Sequence, residues 1–376
     1  MKIRNDGMSD KKHALLFRIL KILLIIFLAI VILLVGMLAF LSITEYRPKD
    51  REDIKVEGSA KRTLREGDSI SVLSWNIGYG ALGDNADFFM DGGKSVNTAT
   101  KERVNKNLAG ILGNVKNVDP DVIFFQETDI SSSRSHKINE YEKFKNELSD
   151  YSFSFANNFK VAFLPYPVPP IGKVNSGIAT ASRFGVSSAE RIQLPIPFSW
   201  PMRMANLKRC LLVSRIPVEN SEKELVLVNL HLEAYDDGEG KKKQTEALVK
   251  VLKEEINKGN YVIAGGDFNQ VFSSIGKDAF TVEDGLWAPG EIDVSSLEDD
   301  FYCLMDESTP SCRSLDKAYA GANRKSFQYY LIDGFIVSKN IEVESVKTGD
   351  LGFVYSDHNP VLIKLKLGEK QTYEAE

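Results

Sequence analysis

The sequence predicts one large α/β domain set behind a single apolar N-terminal helix. Three features say so. Apolar, β-rich runs recur from residue 70 to residue 367 and are interleaved with a few helical stretches, the pattern of strands and helices mixed in one unit. Residues 22–43 contain no charged side chain and are rich in Leu, Ile and Val, enough to cross a hydrocarbon core of about 30 Å. Several strand-like runs end in Asp, Glu, Asn or His, which gathers polar side chains at strand termini.

Composition narrows the class. With 43% hydrophobic and 26% charged residues, the chain is ordinary globular protein plus one membrane segment. Three cysteines (Cys210, Cys303, Cys312) are too few for a disulfide framework, although Cys303 and Cys312 stand close enough in sequence to bridge one loop. No Cys/His cluster has zinc-site spacing among the four histidines, His13, His136, His231 and His358. The formal net charge is −5; residues 1–43 carry six basic and two acidic side chains, which leaves the remainder near −9. That is a poor footprint for tight non-specific nucleic-acid binding, which depends on Lys and Arg neutralising phosphates.

Taken in order, residues 1–21 form a basic flank ahead of the apolar run. The N-terminus is therefore expected in the cytoplasm and the rest outside, as in a single-pass membrane protein. A cleaved signal peptide is the rival reading, but the run exceeds the roughly 7–15 residues of a signal h-region and no small-x-small site stands at its end. Residues 44–68 are polar and charged, with Pro48 and Gly58, and read as a tether. Residues 70–76 alternate and end a strand at Asn76. A Gly- and Asp-rich loop follows to about Asn97. Within it Gly92-Gly93-Lys94-Ser95 lacks the first glycine of a phosphate loop, since Phe88 stands there. Thr98 or Thr100 caps a helix with Val104, Leu108, Ile111 and Leu112 on one face, and Asp119-Pro120 ends it. Residues 121–125 form an apolar strand leading into Gln126-Glu127, and residues 141–148 suggest a short helix.

Two Phe- and Pro-rich stretches, 153–171 and 194–202, look irregular and are apolar for loops. They form either a hydrophobic rim facing a membrane or an apolar substrate, or segments packed on the domain's own core. A strand at 177–181 separates them. Strands follow at 211–216, preceded by Lys208-Arg209, and at 224–232, carrying Asn229-Leu230-His231. Residues 244–256 place Ala247, Leu248, Val251, Leu252 and Ile256 on one helix face. They lead into a buried strand at 261–264 and then Gly265-Gly266-Asp267-Phe268-Asn269. The glycines allow a bend, and Asp267 and Asn269 share a face; an Asx-type turn is the plainer reading of the same residues. Residues 272–322 are loop-rich and show no clear order. Strands at 330–337 (with Asp333), 341–348 and 361–367 close the chain, with Ser356-Asp357-His358-Asn359-Pro360 before the last.

The strand ends collect Asn76, Glu127, Asn229, His231, Asp267, Asn269, Asp333, Asp357 and His358. Hard oxygen donors without cysteine favour Mg²⁺ or Mn²⁺ over zinc. Mg²⁺ takes one or two protein carboxylates and completes its shell with water and substrate phosphate oxygens, so the set points to metal-assisted attack of water on a phosphate ester. No nucleophile elbow is visible. Plainer roles stand beside this one: Asp333 as a core carboxylate, His231 as a packed strand histidine, Asn76 as a turn cap. Arg209, just ahead of a strand, either contacts a substrate phosphate bidentately or is a surface arginine.

Ser74-Trp75-Asn76, Gln126-Glu127, Asn229-Leu230-His231-Leu232, Gly266-Asp267-Phe268-Asn269, Ile332-Asp333-Gly334 and Ser356-Asp357-His358-Asn359-Pro360 occur in that order. Together they resemble the endonuclease/exonuclease/phosphatase superfamily, over about residues 70–367. The resemblance implies a four-layer α/β (α+β) sandwich, two mixed β-sheets face to face with helices outside. It also implies roles. Glu127 resembles the principal metal ligand, with Asn76 beside it and Asp357 near the metal. Asp267 would orient or deprotonate the attacking water, and Asn269 would hold a phosphoryl oxygen. His231 and His358 would stabilise charge on phosphorus, His358 would help protonate the leaving oxygen, and Asp333 would orient His358. Arg209 and Asn229 are candidate contacts to the substrate phosphate.

The expected organisation is thus a basic flank (1–21), a transmembrane helix (22–43), a linker (44–68), a catalytic domain (69–368) and a short tail (369–376). The expected function is a Mg²⁺-dependent phosphoesterase, with Mn²⁺ as substitute, anchored in the membrane and facing outward. Its partner is a phosphate ester: a lipid headgroup, a small molecule or a nucleic acid. No segment points to an obligate protein partner. An extracellular nuclease, a sphingomyelinase- or phosphoinositide phosphatase-like lipid hydrolase, and a non-catalytic binding module are the alternatives. The fold hosts many substrates and does not choose among them.

Overall fold

The computed structural model describes residues 6–275 and 285–368. Lys2 and Arg4 of the basic flank, residues 276–284 of the loop-rich stretch and the tail 369–376 lie outside the described residues. In chain order the elements begin with α1 (Asp6–Thr44), β1 (Arg51–Ile54), β2 (Ser69–Asn76), α2 (Lys101–Val118), β3 (Val122–Asp129), α3 (Glu140–Glu147), β4 (Ser152–Leu164) and β5 (Gly172–Ser182). They continue with β6 (Ser188–Gln193), β7 (Cys210–Pro217), β8 (Glu224–His231), α4 (Glu239–Ile256), β9 (Tyr261–Asp267), β10 (Gln270–Phe272) and β11 (Gly290–Ile292). The chain closes with β12 (Phe301–Leu304), β13 (Cys312–Arg313), β14 (Tyr329–Tyr330), β15 (Asp333–Ser338), β16 (Ile341–Thr348) and β17 (Val361–Leu367).

Two β–α–β crossovers set the architecture. β2 and β3 run parallel and are joined by α2; β8 and β9 run parallel and are joined by α4. Antiparallel strands extend each pair. One sheet has the order β16-β17-β2-β3-β5-β4, the other β1-β6-β7-β8-β9-β15-β12. The inner faces of the sheets meet in an apolar layer including Val72, Phe124, Leu227, Ile263, Phe335 and Ile363. On the outside, α2 and α3 cover one sheet through Val104, Leu108, Ile111 and Phe144, and α4 covers the other through Leu248, Val251 and Leu252. This is the four-layer arrangement of two mixed sheets that the family resemblance implies.

The helices form where sequence allows. Thr100 caps α2 by accepting the Arg103 N–H, and Asp119 closes it in the left-handed region. α4 begins earlier than its apolar periodicity indicates, because Asp236 accepts the N–H groups of Gly238 and Gly240 at its entrance.

Three readings are corrected, and the open question of the Cys303–Cys312 pair is answered. The stretch 44–68 is not a free tether: β1 pairs with β6 at the sheet edge, and Glu57, Arg62 and Leu64 form bridges to Phe153, Phe184 and Val218. Its polar composition misled because an edge strand has one solvated side. Residues 153–164 are not irregular; they belong to β4, whose aromatic residues suit a pleated surface. Gly265 and Gly266 make no bend. They lie within β9, where a Cβ at Gly265 would meet the Phe335 ring at 2.4 Å and one at Gly266 the Leu230 carbonyl oxygen at 2.0 Å. Cys303 and Cys312 are free thiols.

α1 is long and apolar enough to cross a membrane. Its last turns touch the domain: Leu41 packs with Val161 and Met204, and Ser42 Oγ donates to Met204 Sδ at 2.9 Å.

The α4 layer is tied down by one buried carboxylate. Glu255 accepts from Arg215 at 2.7 and 3.0 Å, from Lys258 at 2.8 Å and from Asn260 at 2.8 Å. Burial alone would raise its pKa, but these donors overcome that and hold it down at about 2. A depressed carboxylate contributes stability that is complete above its unfolded value near 4.3 and is lost as pH falls through the folded value. Glu255→Gln should therefore cost about 2–3 kcal/mol at pH 7 and much less at pH 2, measured by denaturant unfolding at the two pH values. Equal losses at both would show that packing, not charge, ties α4 down.

Candidate active site

The two parallel pairs end side by side, and antiparallel strands begin at the same level. In the larger sheet His231, Asp267 and Asp333 are register partners across β8, β9 and β15. In the smaller sheet Asn76 ends β2 opposite Gln126, and Glu127 follows. A bulge between Phe125 and Thr128 in the pairing of β3 with β5, with Glu127 at φ +54°, swings that carboxylate out of the ladder. A non-glycine residue there stores about 1–3 kcal/mol of strain, which the surrounding sheet must hold. Asp357 and His358 lie on the turn before β17. Ser356 fixes that turn, its Oγ donating to the Asn76 carbonyl at 2.8 Å and accepting the His358 N–H at 3.2 Å.

Asp267 is the point on which these groups converge. Asn76 Nδ2 donates to Asp267 Oδ2 at 2.9 Å and to Glu127 Oε1 at 3.2 Å. His231 Nε2 and His358 Nε2 stand 3.4 and 3.7 Å from the same Oδ2. The Asn269 N–H donates to Asp267 Oδ1 at 2.9 Å, so the Asx turn and the shared polar face are both present, with the turn made by Asn269 at φ +51°. His358 Nδ1 donates to Asp333 Oδ2 at 2.8 Å.

The environment separates the charge states of these groups. Burial pushes Asp267 up to about 7; His358 pulls it down and Asp333 pushes it further up. Burial also pulls His358 down, but Asp333, Cys312 and Asp267 outweigh it and hold the imidazolium well above the ordinary histidine value. His231 goes the other way: burial, then the positive charges of Arg209 and His358, keep it well below that value. At neutral pH one histidine is a cation and the other neutral. Asp357 is pushed to about 6 by burial, against the pull of His358 and with repulsion from Glu127. Burial pushes the Cys312 thiol to about 12, which removes it as a nucleophile.

Glu127, Arg209, His231, Asp267, Asn269, Asp357 and His358 all line one cavity of about 700 Å³. Asp333 stands behind His358. Asn76 also stands behind, and its orientation departs from expectation: its Oδ1 accepts the Gly78 N–H at 3.1 Å, so its amide turns nitrogen, not oxygen, toward the carboxylates. Asn229 is corrected. It lies deeper between the sheets, fully buried, with its amide engaged by Gln126 and the carbonyls of Ala179 and Phe125, and it does not reach the cavity. Arg209 borders the cavity, but its Nε donates to Glu233 at 3.3 Å and its Nη1 to the His231 carbonyl at 3.1 Å.

Other residues of the cavity carry no signal in the sequence. Asp91, from the Gly- and Asp-rich loop, accepts from Tyr235 Oη at 3.2 Å across the cleft; burial and Asp357 push it to about 7, against that hydrogen bond. Arg134 pairs with Asp129 at 3.1 Å and lies 3.6 Å over the Tyr79 ring. Arg313, buried, donates to the carbonyls of Ser314 and Gly83. Asp91 and Arg134 come from connecting segments and Arg313 from the short strand β13, and the path of each depends on the whole fold.

Fold and site together define a hydrolase acting on phosphate esters. A sequence model of the Endonuclease/Exonuclease/phosphatase family matches residues 73–358, and the chain belongs to that family. Among curated proteins none matches the sequence. Two of the solved structures that follow, from Beutenbergia cavernae and Bacteroides vulgatus, share the fold. An endonuclease/exonuclease/phosphatase from Beutenbergia cavernae DSM 12333 is 16% identical over 80% of this chain and 72% of its own, with a TM-score of 0.53. An endonuclease/exonuclease/phosphatase from Bacteroides vulgatus is 14% identical over 80% of this chain and 99% of its own, with a TM-score of 0.51. TDP2 of D. rerio, in complex with a single-strand DNA product, is 15% identical over 80% of this chain and 99% of its own, with a TM-score of 0.49.

Removing the Asp333 charge should lower the His358 pKa, because that carboxylate is what most opposes the effect of burial. Asp333→Asn should move the His358 titration downward by at least about one unit, followed by NMR of its ring nitrogens in EDTA-treated protein. The pair's contribution to stability has the matching sign: complete below the unfolded histidine value near 6.5, and lost as pH rises through the folded value. An unchanged titration would show that another group charges His358.

Proposed function

We propose that this protein is a membrane-anchored, divalent-metal-dependent phosphoesterase that hydrolyses its substrate by direct attack of water. The observation that carries the reading is the convergence of Asn76, His231 and His358 on the buried Asp267 carboxylate, in one cavity with Glu127 and Asp357; burial pushes Asp267 up to about 7. A general base works best with a pKa near the operating pH.

The donor set fits a hard cation. Glu127 and Asp357 both face the cavity and repel each other, and the nearby Arg134 is committed to Asp129. Glu127 and Asp357 would hold Mg²⁺ or Mn²⁺, with Asn76 bridging Glu127 to Asp267 from behind. When bound, the ion supplies charge to the phosphate oxygens and acidifies water. Asp267 accepts the proton of the attacking water as its oxygen bonds to phosphorus. Asn269, one amide proton of which goes to the Leu232 carbonyl at 2.9 Å, has the second for a phosphoryl oxygen. Neutral His231 stabilises charge on phosphorus. His358, held by Asp333, gives its Nε2 proton to the leaving oxygen as the ester bond breaks. Arg209 acts behind these groups, adding its charge to the burial that keeps His231 neutral.

A nuclease is less well supported. Among the described residues the basic side chains lining the cavity are Arg134, Arg209 and Arg313, and each is engaged within the protein. That leaves little free positive charge for a polyanion. The length and composition of α1 support an anchor with the N-terminus inside and the domain outside. Its packing on the domain supports retention, since a cleaved leader has no need to dock.

Asp267→Asn and His358→Ala should each lower turnover of an aryl phosphodiester by at least about 10²-fold while circular dichroism stays unchanged. EDTA should abolish turnover and added Mg²⁺ restore it. Near-normal rates in either variant, or indifference to EDTA, would sink the role assignment.

A further inference from the structure

The cavity does not end at the catalytic groups. From Asp267 and His358 it runs past Phe89 and Met90 to Leu38 and Leu41 of α1, with Leu164 and Met202 at its sides. Leu38 and Leu41 lie inside the uncharged run 22–43. The same helix end is therefore part of the apolar segment and part of the cavity wall.

That end is fixed in place. Glu45, one residue beyond α1, has a side chain only 1% exposed and accepts from Arg203 and Arg47, both at 2.9 Å. Trp200 Nε1 donates to Ser42 Oγ at 3.4 Å. Just N-terminal of this contact, Leu33, Leu34 and Val35 stand exposed, an apolar surface that belongs in hydrocarbon rather than water. Exposed apolar side chains ring the same end: Val168 is 92% exposed, Tyr166 69% and Met202 63%. Tyr166 sits on Phe89 of the cavity wall, ring centroids 6.0 Å apart. An arm this apolar gains nothing from a water-soluble ester, whereas a hydrocarbon chain laid in it removes apolar surface from water on both sides.

We propose that the substrate is a membrane phosphate ester bearing a hydrocarbon tail, that the tail lies in this arm against Leu38 and Leu41, and that the anchor helix is thus one wall of the substrate site. The headgroup end of the claim rests on the phosphoesterase reading; the tail end does not. The substrate enters sideways from the outer leaflet, its phosphate reaching Asp267 while its chain stays against α1.

The test uses the full chain in nanodiscs and two probes of equal chemistry, hexadecyl 4-nitrophenyl phosphate and methyl 4-nitrophenyl phosphate. The tailed ester should be hydrolysed with a kcat/KM at least about tenfold higher. Met202→Glu and Met90→Glu, at solvent-exposed wall positions that fold should tolerate, should erase most of that advantage and leave the methyl ester unaffected. A hexadecyl ester with a diazirine in its chain should crosslink to residues 37–41 and to the 159–166 stretch. Equal kcat/KM for the two esters, or an advantage that survives both variants, overturns the proposal. Crosslinks without hydrolysis of either ester support the arm and overturn the phosphoesterase reading instead. Absence of crosslinks at α1 overturns the arm whatever the rates.

Discussion

The hydrogen bond from Asn76 Nδ2 to Asp267 Oδ2 crosses from one sheet to the other, and the site depends on it. Asn76 ends the first parallel pair and Asp267 the second. Two stacked sheets lie about 10 Å apart, so short polar side chains meet across them only at strand ends, where the apolar layer stops. The crossovers through α2 and α4 bring both pairs to a halt at one level. The strands that start at that level, β15 and β17, bring Asp333 and His358 to the same place. A carboxylate fixed there by donors from both sheets cannot drift away from the charge that burial denies it.

The two histidines show how far environment decides chemistry. Both are buried, and burial alone would keep both neutral. Behind His358 stands Asp333; beside His231 stands Arg209, whose guanidinium holds the His231 carbonyl. At His231 burial sets the neutral state and Arg209 adds to it, whereas at His358 Asp333 leads the groups that override burial. Arg209 is better understood in this light than as a phosphate ligand. Glu127 is a second case of position imposed from outside, since its backbone sits in a region that only the bulge in β3 maintains.

Much of this was legible in the sequence. Strand runs ending in polar residues named six side chains that share the cavity, because a strand's alternation says which residues share a face and its apolar content says where it stops. The face was right for Asn229 too, which lies two residues before His231 on β8, but depth along a strand is not written in the local pattern, and Asn229 falls inside the core. Periodicity gave α2, α3 and α4. It missed the edge strand β1 and its neighbour β6, both with little apolar content, and it gave nothing for residues 301–330, whose short strands are fixed by distant partners. Asp91, Arg134 and Tyr235 reach the cavity from connecting segments and Arg313 from the two-residue strand β13, and no spacing rule connects them. The glycines of β9 pointed to the right place for the wrong reason: they mark a close approach of neighbours, not a turn.

β1 has a mechanical consequence. A flexible chain of 25 residues would let the domain wander over roughly 25–30 Å from the end of α1. Pairing of β1 with β6, and the bridges from Glu57, Arg62 and Leu64, remove that excursion. Helix and domain move as one rigid lever, so the mouth of the cavity keeps a constant height and tilt relative to whatever surrounds α1. Its working distance is set by the fold rather than sampled, and the collisions it can make are those within a thin, fixed plane.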